Sequence, residues 1–462
     1  MKQQITQKID FQKGKLMPLI LKFSLPAAAS LLITAIYNIV DRIFVGNCVG
    51  TSALAGLSIC FPLSYMMMAF GLNCSAGGST LFSLFNGQND KKKMNKSFGN
   101  AFLLVIILEL LLTAVLFLFT DPILNIFGVT NTCYSYARIY YRIVIIGCLF
   151  QGLTQLFCDF VRVSGKPMTG MCVTGLGAVM NIVLDAVFVV GLNMGVAGAA
   201  YATVIGQVCS TIFGAWLLFS GKTKVDIDIE IFQPDFIMCK KILSCGFAFW
   251  IAQMAMGFIS LVYNSQLGKY GGDIAISVYA VIASIMTFVI MPASGISQGI
   301  QPIIGTNYGA KNYKRVMNTL YQSTIVSVGI TVIIWLIVML FPKQILMMFG
   351  GDEEMFRLGI SALRINFCIT PILGFVMLAT AFFQSIGKPG PSIIITMLRQ
   401  VIFLIPFIYI LPTIMDINGI FYAQPISDAL ALALCIVLVM KQHHTLLAQP
   451  HQRSQTLSTQ HA

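Results

Sequence analysis

Nine ionisable residues lie inside long apolar runs of this 462-residue chain: Asp41, Arg42, Glu109, Arg138, Arg142, Asp185, Arg364, Arg399 and Asp428. A charge at the centre of a bilayer costs roughly 2.5–3.5 kcal/mol on insertion scales, so each needs a partner or a task. Three polar pairs share a helical face at i, i+4 spacing: Tyr37 with Asp41, Asn181 with Asp185, and Thr203 with Gln207. Carboxylate, amide and hydroxyl oxygens in such a set can take a proton or a small hard cation. Two carboxylates brought into one dry cavity would titrate as a coupled pair. Plainer readings stand beside this one. Asp41 would lie near the outer interface, neutralised by Arg42, and Asp185 would be a structural partner for an Arg or Asn.

The chain that must position these residues is 57% hydrophobic and only 10% charged, with a mean hydropathy of +0.83. A soluble domain carries about 25% charged residues, so a water-soluble enzyme is excluded. Apolar segments fall at 17–44, 53–84, 98–120, 134–157, 169–190, 197–219, 242–266, 275–306, 317–341, 356–384, 392–412 and 419–440. Their continuity excludes a β-barrel, and a span needs about 20 residues, so twelve transmembrane helices are expected. The net charge of +12 is topological. Most Lys and Arg fall in the N-terminal segment, in alternate loops (Lys91, Lys92, Lys93, Lys96; Arg162, Lys166; Lys222, Lys224, Lys240, Lys241; Lys311, Lys314, Arg315; Lys388) and near the C-terminus. Asp121, Asp273, Asp352, Glu353, Glu354 and Asp416 occupy the other loops. The positive-inside rule then places both termini in the cytoplasm of a multi-pass protein of the cell (inner or plasma) membrane. Nucleic-acid binding is rejected, because the basic residues sit on short loops. The twelve cysteines read as small buried hydrophobes. All four histidines (His443, His444, His451, His461) lie at the C-terminal end, so no core metal or catalytic site can use one.

Shifting the chain by 222 residues aligns it with itself. Gly46, Gly50, Gly77 and Gly87 fall on Gly268, Gly272, Gly299 and Gly309. Segment 123–128 falls on 345–350, Arg142 on Arg364, and Gly165-Lys166-Pro167 on Gly387-Lys388-Pro389. With a one-residue slip, Gly198 and Tyr201-Ala202 meet Gly419 and Tyr422-Ala423. The expected fold is therefore all-α and membrane-integral, with two pseudo-symmetric six-helix bundles around a central cleft. Its expected parts are a cytoplasmic segment 1–16, an N-lobe 17–219, a cytoplasmic linker 220–241, a C-lobe 242–440 and a disordered cytoplasmic tail 441–462. Two facing bundles suit alternating access, with a site between the repeats. The acids do not repeat: Asp41 falls on Tyr263, Asn181 on Phe403 and Asp185 on Phe407. That asymmetry points to a coupling site rather than scaffold. Pro26 removes a backbone hydrogen bond below Asp41, so the first span can bend there.

Together these motifs resemble the MATE (multidrug and toxic compound extrusion) family, particularly its MepA-like and DinF-like members, over about residues 15–440. They are Pro26, Tyr37-Asn38-Ile39-Val40-Asp41-Arg42-Ile43-Phe44-Val45-Gly46 and Ala53-Leu54-Ala55-Gly56, then Gly165-Lys166-Pro167, the run Asn181 to Phe188 and Gly195-Val196-Ala197-Gly198-Ala199-Ala200. The resemblance implies an antiporter that exports cationic amphiphiles against inward H⁺ or Na⁺. It also implies an N-lobe cation site at Asp41, Asn181, Asp185 and Thr203, beside the bending Pro26, able to hold a proton or Na⁺. NorM-like members carry acids in the seventh and tenth spans, and this chain has none in mid-membrane there.

The expected substrates are small cationic drugs, in a cleft lined by Tyr37, Gln207, Tyr201, Met180, Tyr263 and Met291, since Met and aromatic faces adapt to varied cations. No cofactor is expected beyond the coupling ion, and a monomer is expected. One rival is a lipid-linked saccharide flippase of the broader superfamily, which would want cavity arginines such as Arg138, Arg142, Arg364 and Arg399. An intramembrane enzyme would need a nucleophile–base pair or core metal ligands, and the chain offers neither.

Overall fold

The computed structural model describes residues 10–127, 131–221, 223–349 and 353–448, and within these every regular element is helical. Segments 1–9, 128–130 and 350–352, Lys222 and residues 449–462 lie outside the description, taking with them His451, His461, Asp352 and the repeat glycines Gly128 and Gly350. The side chains of Leu54, Ala55 and Asp273 also lie outside it.

The first half comprises α1 (Leu16–Cys48), α2 (Thr51–Gln88), α3 (Lys91–Leu118), the short α4 (Thr120–Ile126), α5 (Asn131–Val163), α6 (Pro167–Asp185) and α7 (Gly195–Phe219). A π-helical turn, Ala186–Gly191, continues α6. The second half comprises α8 (Phe236–Gly309), α9 (Tyr313–Leu340), the short α10 (Pro342–Met348), α11 (Glu353–Phe367), α12 (Thr370–Ser385), α13 (Pro389–Met397), α14 (Leu404–Ile410) and α15 (Pro412–Leu447). A second π turn, Leu398–Phe403, joins α13 to α14. Helix α8 is two spans, Phe236–Gly272 and Ile274–Gly309, broken at Gly272.

Ten helices among the described residues are long and apolar enough to cross a membrane, or eleven if α11 and α12, bent by 42°, form one broken span. Helix α2 is 38 residues long and supplies the remaining expected span, although several of its first side chains lie outside the description. The protein is all-helical and multi-pass, and the expected count of twelve holds approximately.

The repeat is written into the backbone as well as the sequence. Gly50 and its equivalent Gly272 both take positive φ (113° and 60°), as do Gly165 and Gly387 (99° and 70°), where a side chain would be strained. Asn89 and its equivalent Lys311 both end their helices left-handed, at φ 59° and 58°. The following residues, Asp90 and Asn312, cap the next helices by accepting from the Lys93 and Arg315 amides at 3.0 and 3.3 Å. Pro167 and Pro389 each open a helix at its first turn, where a missing N–H costs nothing.

The two halves meet through glycines. A Cβ on Gly77 would lie 2.0 Å from the Ile242 carbonyl oxygen, one on Gly87 2.0 Å from that of Thr306, and one on Gly309 2.1 Å from that of Leu84. A Cβ on Gly309 would also lie 3.2 Å from the Gly87 Cα, so these repeat-equivalent residues touch across the pseudo-two-fold axis. Gly299 and Gly295 press in the same way on Ser24 and Ala28 of α1. Gln301 adds hydrogen bonds to Ala76, Ser79 and Thr80. These approaches lie on the Lys-rich side of Phe70 and Trp250, whose rings meet edge-on at 5.8 Å.

Two expected boundaries move. The segment from 441 is not a tail throughout: helix continues to Leu447, because Leu446 is buried and Gln442 accepts from Lys388 at 3.0 Å. The connection between halves gives way to helix at Phe236, six residues before the expected 242, because Asp235 caps the Ile237 and Met238 amides. Segment 10–15 is docked rather than free. Phe11 is buried beside Phe23, and Arg315 donates to the carbonyls of Phe11, Lys13 and Gly14. None of the twelve cysteines forms a disulfide. Seven are buried as expected, but Cys48, Cys172 and Cys368 are exposed.

Candidate cation site and substrate cleft

Helix α1 packs on α6, and α6 on α7, which brings together the oxygen donors picked out in the sequence. Small residues make this possible. A Cβ on Gly206 of α7 would lie 2.7 Å from the Gly177 carbonyl oxygen and 3.3 Å from the Asn181 Cβ. This close approach at Gly206 brings Asn181 Nδ2 within reach of Thr203 Oγ1, to which it donates at 3.2 Å. Asp41, Asn181 and Asp185 are 3%, 2% and 0% exposed. Asp41 and Asp185 lie within electrostatic reach of each other.

Four buried acceptor oxygens in this cluster find no donor among the described residues: Asp41 Oδ1, Asn181 Oδ1 and both oxygens of Asp185. Buried polar atoms are normally paired, so such a group is chemically incomplete. A proton or an oxygen-seeking cation would complete it. The π turn begins directly after Asp185, and such turns often mark functional positions in helices. Tyr140 of α5, 8% exposed, lies within electrostatic reach of Asp41 and Asp185 and closes the cluster; no spacing in the sequence points to it.

The residues assigned to the substrate cleft divide. Tyr37, Met180 and Met291 are half-buried, and Tyr201 is exposed. Gln207 packs against Gly147. Tyr263 is 1% exposed and stacked on Tyr279 at 4.4 Å, so packing seals its ring. Helix α1 runs through Pro26 as one element.

Four further charged clusters are brought together by the fold. Arg162, counted in the sequence as a loop charge, is buried. It pairs with Asp159 at 3.0 Å and donates to Gln298 of the other half at 2.8 Å. Asp159 also accepts from Ser75 and Gln155. Glu109 is 1% exposed and fits against Gly71 and Gly152. Arg399 donates Nε to Asp428 Oδ1 at 2.6 Å in mid-membrane. Arg138 holds Asp121 with two bonds, at 2.7 and 3.1 Å, while Arg142 approaches it at 4.0 Å and Tyr134 donates to it.

The Arg138 and Tyr134 hydrogen bonds keep the Asp121 carboxyl below its ordinary range. A lowered carboxylate contributes stability above its unfolded pKa of about 3.9 and loses it as pH falls through the folded value. Arg138→Gln is therefore expected to lower the melting temperature slightly at pH 7. That difference should vanish in melts run well below pH 4, and a deficit that persists there would show that the pair is not its source.

A duplicated, all-helical bundle with a buried oxygen cluster in one half defines a membrane transporter of the two-lobed type rather than an enzyme. The MatE family model matches the chain twice, over residues 26–187 and 249–410, one match per half and at an offset one residue from the internal repeat. The chain belongs to this family. It is 24% identical over 433 residues to the multidrug export protein MepA of Staphylococcus aureus (strain MSSA476), covering 93% of this chain and 94% of that protein. It is 25% identical over 435 residues to MepA of Staphylococcus haemolyticus (strain JCSC1435), covering 94% and 95%. Among solved structures it is similar to a MATE protein in a bent conformation, with a TM-score of 0.89 and 25% identity over 96% of this chain and 98% of that one. It is equally similar to a MOP superfamily transporter of Pyrococcus furiosus whose binding pocket is described as reversed in polarity, with a TM-score of 0.90 and 25% identity over 96% and 99%.

Proposed function

We propose that this protein is a multidrug efflux antiporter of the cell membrane, working as a monomer with both termini in the cytoplasm. It exports cationic amphiphiles in exchange for inward H⁺ or Na⁺. The observation that carries this reading is the set of four buried acceptor oxygens on α1 and α6 with no donor among the described residues. The similarity to MepA proteins over nearly the whole chain supports multidrug export.

In the proposed cycle the halves close at the Lys-rich cytoplasmic end, as their glycine contacts do here, and the cleft opens outward. A proton or Na⁺ reaches Asp41 and Asp185 and neutralises them. Helix α1 then bends near Pro26, the cleft reshapes, and the drug leaves. After the turn inward the ion departs, and the emptied carboxylates again favour a cation. Moving one charge across 100 mV is worth about 2.3 kcal/mol, so exchange of one H⁺ for one monovalent drug is electroneutral and runs on the pH gradient alone. In the flippase reading, arginines would line the cleft. Arg138 and Arg142 instead converge on Asp121 and Arg399 is neutralised by Asp428, which favours the drug antiporter.

The test is ethidium transport in proteoliposomes with a pH gradient and a Na⁺ gradient imposed separately. One gradient should drive accumulation several-fold above the no-gradient level. No response to either would overturn ion-coupled antiport.

A further inference from the structure

The site in the first half has a counterpart in the second that differs in charge. With the one-residue slip that aligns Tyr201 with Tyr422, Thr203 falls on Gln424 and Gln207 falls on Asp428. At the unslipped offset Gly177 falls on Arg399. Contacts support this register. Gly177 abuts Gly206 in the first half, and their equivalents Arg399 and Ser427 touch in the second, where the Ser427 hydroxyl donates to the Arg399 carbonyl. A guanidinium thus projects where the first half has no side chain at all. Around it lie Asp428, Gln424, which donates to Asp428 at 3.0 Å, and the buried Tyr263, whose hydroxyl has no partner among the described residues and lies within electrostatic reach of Asp428.

The Arg399–Asp428 pair is made through one edge only. Arg399 has five N–H donors. Its Nε is held by Asp428 Oδ1, while Nη1 and Nη2 bond nothing among the described residues and are not among the enclosed orphan atoms. A structural ion pair in this setting would be expected to use the two-pronged match of guanidinium to carboxylate. Here the prongs that make that match remain available. Arg399 lies ten residues into its span, roughly 15 Å from the helix start at 1.5 Å per residue, beyond the reach of a lipid headgroup.

We infer that Arg399 is a specificity-determining residue, binding the carboxylate of zwitterionic aromatic amphiphiles through its free Nη pair while the acids of the first half take their cationic end. This deepens the proposed export function and rests on it. Asp428 holds the guanidinium in place and keeps the site neutral when no carboxylate is present, so purely cationic substrates are not repelled. The stacked rings of Phe403 and Phe407, both half-buried, offer an aromatic face to a planar body.

The test is binding rather than transport. Fluorescence anisotropy of the purified full-length protein in neutral detergent would compare rhodamine 110, a zwitterion with a free carboxylate, with rhodamine 123, its cationic methyl ester. Wild type should bind both. Removing one charge of a buried pair strands the other, so the main variant is the uncharged double replacement Arg399→Gln with Asp428→Asn. It should keep the ester Kd within about twofold and weaken the acid about tenfold or more, the value of one charged hydrogen-bonded contact. Asp428→Asn alone frees the whole guanidinium and should tighten the acid several-fold. Parallel changes for both dyes, an unchanged acid Kd in the double variant, or a wild type that does not bind the acid would each overturn the assignment. Export driven by an ion gradient is read separately with ethidium, so a failure here leaves that outcome standing.

Discussion

Asp185→Asn is expected to reduce gradient-driven ethidium export to the rate seen without a gradient, a loss of at least about tenfold, while the protein remains folded and expressed. The side chain is 0% exposed and neither carboxylate oxygen has a donor among the described residues. The amide is nearly the same size, so packing against α1 and α7 persists. It cannot ionise, so the site can no longer alternate between a charged and a neutral form. Removing a desolvated charge should leave thermal stability equal or higher. That result would separate coupling from folding, because a structural aspartate would lose both together. Asp41→Asn should behave alike, since the two carboxylates share one cluster. Wild-type export in both variants at equal expression would end the coupling assignment.

The second large effect is expected at the contact between the halves. Gly87→Ala adds one methyl group, whose carbon would lie 2.0 Å from the Thr306 carbonyl oxygen. Backbone cannot move aside as a long side chain can, so the halves must separate at this end. Overpacking of this kind costs typically about 1–3 kcal/mol, enough to shift a two-state balance by roughly 5- to 150-fold. Transport should fall about tenfold or more. The distance between probes introduced at Asn89 and Lys311 with non-natural amino acids should lengthen. Gly175→Ala is the control. It lies inside α6 with nothing within 4 Å of a new Cβ, so alanine there should leave transport unchanged and stabilise the helix by about 1 kcal/mol. Unchanged probe distances together with unchanged transport in Gly87→Ala would mean that this contact does not hold the state.

The legible and illegible parts of this molecule divide along the range of the interactions. The spans follow from composition and the polar pairs from i, i+4 spacing, both local properties of a chain; the repeat follows from self-alignment, and the meeting of Asp41 with Asp185 was implied only by the family resemblance. Gly77, Gly87, Gly299 and Gly309 were visible as repeated glycines, and their contacts between the halves supply the reason. Arg162 was misread because it sits three residues before Gly165, where a loop charge is the normal expectation. Only the partners Asp159 and Gln298, the latter 136 residues away, reveal it as buried. The burial of Glu109 is not legible locally, because the two glycines that make room for it come from α2 and α5. Arg399 and Asp428 are 29 residues apart on different spans, and no periodicity pairs them.

Helix α1 has a foot in each half. Its base, with Ile20 and Phe23, packs with Phe11 in the hydrophobic core that holds Ile296, Ile300 and Phe382, and Arg315 ties the segment leading into it to α9. Its far end, at Val45, belongs to the core of the opposite half with Leu57 and Tyr141, and Asp41 lies on that stretch. Any rocking of one half on the other must be absorbed within the roughly 20 residues between these anchorages, and Pro26 stands at the lower edge of that interval. The first span is therefore a lever with its handle in one bundle and its tip in the ion cluster of the other. Mechanical work at the interface and chemical occupancy at Asp41 are read out by the same piece of backbone.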